Sequence, residues 1–378
     1  MELKVKQRIA LGTCFFITGV CFSTWASRIP TLKALFELND AELGNILLTM
    51  PVGSLIGLPI SGWLVSRFDS RIPLLVSFFI FALALIGIGY APTPFLLIAS
   101  IAVFSFNMRI LNITINTQAI TLQKTYGKKI NGSFHGVWST GGLVGVCITT
   151  LMLKLDIPIR THMIGVALFS ASVMIFVYGF LLKHDRAKQG NKLILGKPDP
   201  SILCLGILVF FAAICEGGMF DWSGIYFKEV VKEDLFTLGY LIFIACMAFS
   251  RFYSDRFVQR FGMKKTYAVS ASLIAFGITL AITLPLFWTT LTGFCLVGLG
   301  TAAIIPMTYT LAGTSEKYSA GMAISIIATY GIMGMFIGPP LIGYLSHAFN
   351  LKISFILFIF SGLMLIPVSL RFFQLQER

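Results

Sequence analysis

The chain has 378 residues, 56% of them hydrophobic and only 12% charged, with a mean hydropathy of +0.86 and a formal net charge of +13. Soluble domains carry about 25% charged residues, so this composition excludes one. A nucleic-acid-binding protein is excluded too, because the basic residues sit in short turns between apolar segments and not on a compact basic face. What remains is an all-α, polytopic membrane protein.

Taken in order, the stretches long enough to cross a hydrocarbon core, about 20 residues each, fall at 8–27, 41–65, 72–90, 94–122, 131–153, 162–182, 201–222, 236–256, 266–286, 288–313, 320–345 and 351–372. Lysines precede the first, as in a signal peptide, but the apolar run continues to Ser27 without a small-residue cleavage site, which predicts a retained helix. Between the sixth and seventh spans lies Lys183 to Pro200, with five basic residues. Each would cost about 2.5–3.5 kcal/mol or more at the bilayer centre, so this stretch is a loop outside it. The expected organisation is an N-terminal six-helix bundle over 1–182, a linker over 183–200 and a C-terminal six-helix bundle over 201–378.

Assigning alternate loops to opposite sides puts 20 of the 29 basic residues with both termini and the linker and seven on the other side, leaving Arg109 and Arg251 inside spans. That asymmetry predicts cytoplasmic termini. The seven cysteines, Cys14, Cys21, Cys147, Cys204, Cys215, Cys246 and Cys295, lie in apolar segments without a CxxC pair and read as small buried hydrophobes.

The halves also resemble each other. Ser66-Arg67-Phe68 and Gln259-Arg260-Phe261 each run from an apolar segment into a basic turn, at an offset of 193 residues (260 − 67 = 193). The same offset places Gly145 on Gly338 and Trp25 to Pro30 on Gly218 to Ser223. Such repeats mark transporters built by duplication.

With these features the chain resembles the major facilitator superfamily. The likeness rests on six plus six helices, a central cytoplasmic loop, and degenerate copies of a G-x-x-x-D-R-x-G-R-R loop after the second and eighth helices. The first copy reads Gly62, Ser66, Arg67, Asp69 and Arg71, with Ser66 at the usual acid and Asp69 at the second glycine. In the second, Asp255 stands at the first glycine and Gln259 at the acid. A closer resemblance is to the YbjJ-type bacterial inner-membrane proteins near the fucose-permease group. It is carried by Trp25-Ala-Ser-Arg28-Ile-Pro30, Asn112-Ile-Thr-Ile-Asn116, Ser133-Phe-His135-Gly136 with Ser139 and Gly141, and Glu216 with Asp221-Trp222. That family usually shows Asp where this chain has Asn112. The resemblance implies two pseudo-symmetric bundles in the inner membrane, with helices one, four, seven and ten around a central cavity. It further implies proton-coupled uptake of a sugar or sugar-like metabolite, while Arg109 admits an anionic solute such as a sugar acid.

Polar groups inside spans usually face a bundle interior or a wet cavity. In helix four Ser105, Arg109, Asn112, Asn116 and Gln123 fall on one helical stripe, as Thr18, Cys21, Trp25 and Arg28 do in helix one. The solute-binding candidates are Trp25, Arg109, Asn112, Asn116, His135, Glu216, Trp222 and Tyr330. Trp25 and Trp222 read equally as stacking rings or interfacial anchors, and His135, the one histidine expected deep in the membrane, as a solute contact or a packing hydrogen bond. Glu216 is the expected partner of Arg109, read as the proton site, as a permanently ionised counter-charge that leaves Asn112 and Asn116 to bind a neutral polyol, or as a static bridge, with helix seven breaking at Gly217-Gly218. Arg251 is expected to snorkel or pair near the cytoplasmic end of its span. Arg28 and Asp221, equivalent at the offset, form an expected outer gate, and Arg67, Asp69, Arg71 and Asp255 a cytoplasmic latch.

The chain has no HExxH, G-x-S-x-G or P-loop, so no enzyme, metal or cofactor is expected. The expected partners are a small solute, protons and the bilayer, with the chain working as a monomer. Two rivals stand beside uptake. Efflux of amphipathic compounds would suit a G-x-x-x-G-P motif in helix five, whose proline is missing after Gly141 and Gly145, and a membrane sensor would need an output domain.

Overall fold

The structure, a computed structural model, describes residues 3–126, 130–183, 185, 199–315, 317–318 and 320–376. Among these residues are sixteen α-helices, one π-helical turn and no strand. They supply twelve spans long and apolar enough to cross a membrane, the number read from the sequence. The first span is α1 (Leu3–Ser27) with α2 (Ile29–Leu35), and the second is α3 (Asp40–Leu47) with α4 (Thr49–Arg67). Then come α5 (Arg71–Tyr90), α6 (Pro94–Tyr126), α7 (Asn131–Lys154) and α8 (Ile159–Tyr178). Beyond the linker, of which 184 and 186–198 lie outside the described residues, α9 (Pro200–Tyr226) runs into the π-turn Phe227–Val231. The rest is α10 (Thr237–Phe261), α11 (Met263–Thr283), α12 (Phe287–Thr301), α13 (Ile304–Gly313), α14 (Ala320–Ala348), α15 (Leu351–Ser354) and α16 (Ile356–Gln376).

Proline explains the interruptions. Pro30, Pro51 and Pro306 have no N–H to give to the carbonyls of Ala26, Leu47 and Ala302, and the helix is broken beside each of those missing bonds. Pro59, Pro339, Pro340 and Pro367 are carried inside α4, α14 and α16 without a break. The expected break at Gly217-Gly218 does not occur, since α9 is continuous through both. The bare Cα of Gly218 instead receives the Phe358 ring and the Ile342 side chain, so this glycine makes room for packing.

The chain forms two compact units: the described residues of Met1–Phe36 and Thr49–Lys192, and those of Glu37–Leu48 and Leu193–Arg378. Within the first, α1 packs on α7 and α8, α6 on α4 and α5, and α5 on α8. Within the second, α9 packs on α14 and α16, α12 on α10 and α11, and α11 on α16. These are the same pairings shifted by 193 residues. The offset carries the first residue of α6, Pro94, onto that of α12, Phe287. The glycine contacts repeat as well: Gly141 of α7 lies against the carbonyl of Phe16 on α1, and its equivalent Gly334 of α14 against the carbonyl of Phe210 on α9.

The segment 37–48 opens the second span in sequence but packs with the second unit. Its helix α3 starts with a capping box, Asn39 and Glu42 exchanging two 2.9 Å bonds between side chains and backbone N–H groups. It then lies on α14. Gly44 abuts Pro340 and Gly343, the Tyr344 hydroxyl donates to Asn45 Oδ1 at 2.7 Å, and the Ser346 hydroxyl donates to Asp40. Of the cysteines, Cys14, Cys21 and Cys215 are buried as expected, but Cys147 is exposed and Cys204, Cys246 and Cys295 are half-buried. Cys246 of α10 and Cys295 of α12 face each other across the contact of those helices, Sγ to Sγ at 2.9 Å.

Two glycine substitutions separate backbone conformation from packing. Gly262 joins α10 to α11 at φ +80 and ψ 159 with open space around it, a conformation that is costly for any other residue. Gly262→Ala should therefore destabilise the protein by about 1–3 kcal/mol. Gly141→Ala should cost about as much by overpacking the α1–α7 crossing, whereas Gly12→Ala, with nothing near it in α1, should be neutral or stabilising. Thermal unfolding of the purified variants in detergent tests the order.

Candidate functional site

In the first unit the polar stripe of α6 divides in two. Its first part packs on α4, where Gly53 and Gly57 let the helices close up: Ser105 lies against Gly53, and the Arg109 side chain runs past Gly57. Arg109 Nε donates to Ser54 Oγ at 2.8 Å and the residue is half-buried. Further along, Asn112 is exposed, while Asn116 turns its amide back onto the Asn112 carbonyl at 2.7 Å. Gln123 accepts from the Ile130 N–H at 2.9 Å. The stripe is therefore a packing seam at one end and an open polar surface at Asn112.

Arg28 departs from its expected gate pairing. It is 2% exposed, its Nε donates to His162 Nδ1 at 3.3 Å, and an Nη donates to the Ile157 carbonyl at 3.1 Å. No carboxylate reaches it among the described residues. The arrangement fixes the imidazole tautomer: because Nδ1 accepts from a guanidinium that can only donate, the proton sits on Nε2, which is buried without a partner. Sequence reading missed His162, which begins the sixth span and looked interfacial; it is 3% exposed. His135, the histidine expected to be deep, is exposed in the first turns of α7, its ring edge-on to Phe15 at 5.7 Å. Trp25 is buried at 2% exposure and tilted against Phe104 at 6.4 Å, so its indole is neither an interfacial anchor nor open to a solute.

The loop between α4 and α5 is flanked by Arg67, exposed at the end of α4, and Arg71, the first residue of α5, whose guanidinium stands 5.5 Å over the Tyr178 ring. Asp69 is buried. The acid that organises this loop is one that sequence reading did not single out, Asp185. Its carboxylate accepts from the Ser70 N–H at 2.9 Å and from the Ser70 hydroxyl. Gln118 of α6 donates to Ser70 Oγ at 2.9 Å and to the Leu182 carbonyl at 3.2 Å, and accepts from the Leu182 N–H at 3.1 Å. All three side chains are buried, so the loop, α6 and the chain leaving α8 form one satisfied polar knot.

In the second unit, Glu216 of α9 pairs with Arg251 of α10, Oε1 to Nη at 2.9 Å. Both lie deep: Glu216 is 16 residues into α9 and Arg251 ten residues from the end of α10, about 24 Å and 15 Å along their axes. The expected partner of Glu216 was Arg109; a cation on the adjacent helix of the same unit takes that place, and of the two expectations for Arg251, snorkelling or pairing, it pairs, though inside the span and not in a loop. A charge-assisted bond of this kind contributes about 1.5–3 kcal/mol. Glu216 Oε2 is buried and without a partner. Five residues on, Asp221 is half-buried and makes neither an ion pair nor a hydrogen bond among the described residues. Trp222 is fully buried, its Nε1 unpartnered. Tyr330 of α14 lays its ring on Gly206 of α9. Asp255 has its backbone in α10, and its side chain lies outside the described residues.

These features, twelve spans in two repeated units with charged groups held inside them, meet a decisive sequence match. The profile of the Major Facilitator Superfamily matches residues 11–271 and 235–378. The chain belongs to the Major Facilitator Superfamily. An uncharacterized MFS-type transporter of Yersinia pestis is 28% identical over 353 residues, 93% of this chain and 92% of that protein. The membrane protein MosC of Rhizobium meliloti is 29% identical over 369 residues, 96% of this chain and 89% of that one. Among solved structures, a mutant of the nucleoside transporter NupG superposes with a TM-score of 0.79 at 12% identity, covering 98% of this chain and all of that one. A bacterial homolog of the human lysosomal transporter Spinster, inward-facing and unoccupied, gives 0.77 at 13% identity, covering 99% and 98%. At such identities the likeness is one of fold. As a member of the Major Facilitator Superfamily the chain is a multi-pass membrane transporter.

The Glu216–Arg251 pair can be tested by a double-mutant cycle. Glu216→Gln and Arg251→Gln should each lower the unfolding temperature, because each leaves one buried charge short of its counter-charge. The double variant should lose less than the sum, with a coupling energy of about 0.5–3 kcal/mol; additive losses would show that the two side chains do not act as a pair.

Proposed function

We propose that this transporter takes up a small polar solute, a sugar, sugar acid or similar metabolite, together with protons, by alternating access of its two six-helix halves. Its setting is a bacterial inner membrane with both termini in the cytoplasm, which the distribution of basic residues supports. The observation that carries the reading is the charged chemistry kept within the spans: the Glu216–Arg251 bond and the unpaired Asp221 in one unit, and Arg109 beside the exposed Asn112 in the other. Groups of this kind are expensive in hydrocarbon and mark solute and ion paths. Asparagine offers a neutral polyol both donors and acceptors. A guanidinium grips a carboxylate through two parallel bonds, which extends the range to sugar acids.

Arg67, Asp69, Arg71 and Asp255 remain our candidates for the latch on the side of the termini, with Asp185 added as the acid that holds the loop in shape. The likeness to the nucleoside transporter is one of fold and brings no substrate with it.

Reconstitution tests the reading. Purified protein in liposomes should accumulate labelled sugars or sugar acids when an inward proton gradient is imposed, and a protonophore should abolish the accumulation. Arg109→Ala should reduce uptake about tenfold or more, equivalent to about 1.4 kcal/mol of lost interaction. Accumulation indifferent to the gradient, or extrusion of amphipathic compounds in place of uptake, would sink the proposal.

A further inference from the structure

Helix α9 carries two carboxylates, and their surroundings differ. Glu216 is committed: Oε1 holds Arg251 at 2.9 Å, and a proton added even at the unpartnered Oε2 would remove the charge that answers that guanidinium. Asp221 is committed to nothing among the described residues, where it accepts no hydrogen bond and makes no ion pair. It lies 21 residues into α9, about 32 Å along the axis. That is the far edge of a hydrocarbon core about 30 Å thick, within reach of water on that side.

The helices packed on α9 at this level present uncharged groups. Phe220, next to Asp221, meets Tyr240 and Phe243 of α10 at 5.6 and 5.5 Å, and Gly218 meets Ile342 of α14 and Phe358 of α16. Tyr240 is the ionisable group among them. The cations of the packed elements are engaged or distant: Arg251 on Glu216, Arg256 and Arg260 exposed towards the end of α10 with Arg260 over the Phe261 ring at 5.4 Å, Lys228 of the π-turn over the Phe236 ring at 5.5 Å, and Arg371 near the opposite end of α16. His347 stands exposed in the last turn of α14, and Glu229 follows Lys228 in the π-turn; the side chain of Asp255 on α10 is outside the described residues.

We infer that Asp221 is the proton-carrying carboxylate of this transporter and Glu216 the fixed counter-charge of Arg251. The inference rests on the reading of the chain as a proton-coupled transporter. A proton taken from water on one side adds to an Asp221 oxygen, converting the anion to the neutral acid, and the same proton leaves to water on the other side. Half-buried and without donors, the neutral form needs no partner and the anion does. The charge of α9 thus changes by one at Asp221 while the Glu216–Arg251 pair stays intact through the cycle.

Infrared difference spectroscopy of the purified full chain, titrated with acid, reads carboxyl C=O stretches and needs no solute. A protonated-carboxyl band that titrates in the wild type should vanish in Asp221→Asn, persist in Glu216→Gln, and shift in Asp221→Glu, which keeps the test alive should the asparagine variant not fold. A band that persists in Asp221→Asn, or fails to shift in Asp221→Glu, overturns the assignment, as does one that vanishes in Glu216→Gln. The transport reading fails separately. If the band maps to Asp221 while none of the labelled sugars or sugar acids responds to a pH gradient, the assignment stands and the coupled uptake falls. If gradient-driven uptake survives in Asp221→Asn, the uptake stands and the assignment falls.

Discussion

Hydrocarbon offers no hydrogen-bond partner, so every backbone and charged group placed in it must be answered from within the protein. The bond between Glu216 and Arg251 is where this constraint acts most strongly. An arginine cannot shed its charge, and a glutamate at that depth cannot rely on water. Joining them fixes the rotation of α9 and α10 about their axes, and with it the faces that carry Asp221 and Trp222. The knot of Ser70, Gln118 and Asp185 does the same for the first unit, where one carboxylate and one amide satisfy a loop, a helix and the end of α8 together.

Where no polar bond is available, close approach replaces it. Helices in lipid gain nothing from hiding apolar surface from a solvent that is itself apolar, so they associate through packing that small residues permit. The crossing of α1 and α7 at Gly141 and that of α9 and α14 at Gly334 place a bare Cα against a carbonyl of the facing helix. The two sites are one design used twice, 193 residues apart.

Fold and repeat were legible in the sequence because both depend on properties summed over many residues. Twelve spans follow from runs of apolar residues, and the offset from matches that hold along the whole chain. Partner choice was not legible, because it depends on the rotation of each helix and the reach of single side chains. Arg251 was placed near a membrane edge by counting along its span, yet a long side chain one helix away found Glu216. Arg28 was matched to Asp221 by symmetry, although it turns two of its donors to a histidine and a carbonyl within its own unit. The glycines at 217 and 218 suggested a broken helix, and only the Phe358 ring seated on Gly218 shows that they serve packing. Asp185 gave no signal, since one acid entering a basic linker looks like any solvated charge.

The repeat also shows where the two halves part company. At the 193-residue offset Glu216 falls on Ser23, Arg251 on Leu58, and Arg109 on Ala302, where α12 ends and α13 begins after a short interruption. Arg28 falls on Asp221, opposite in charge, one held by a histidine and a carbonyl of its own unit and the other without a partner among the described residues. Duplication has therefore kept the helix pairings and the glycine crossing at Gly141 and Gly334, and has let the ionisable groups diverge. Alternating access requires two conformations of nearly equal energy, and a scaffold made of two similar bundles provides that near balance. A balanced scaffold has no preferred direction of its own. The bias has to come from groups present in one half and missing from the other, and α9, with one bound and one unbound carboxylate, is the element in which that asymmetry is concentrated.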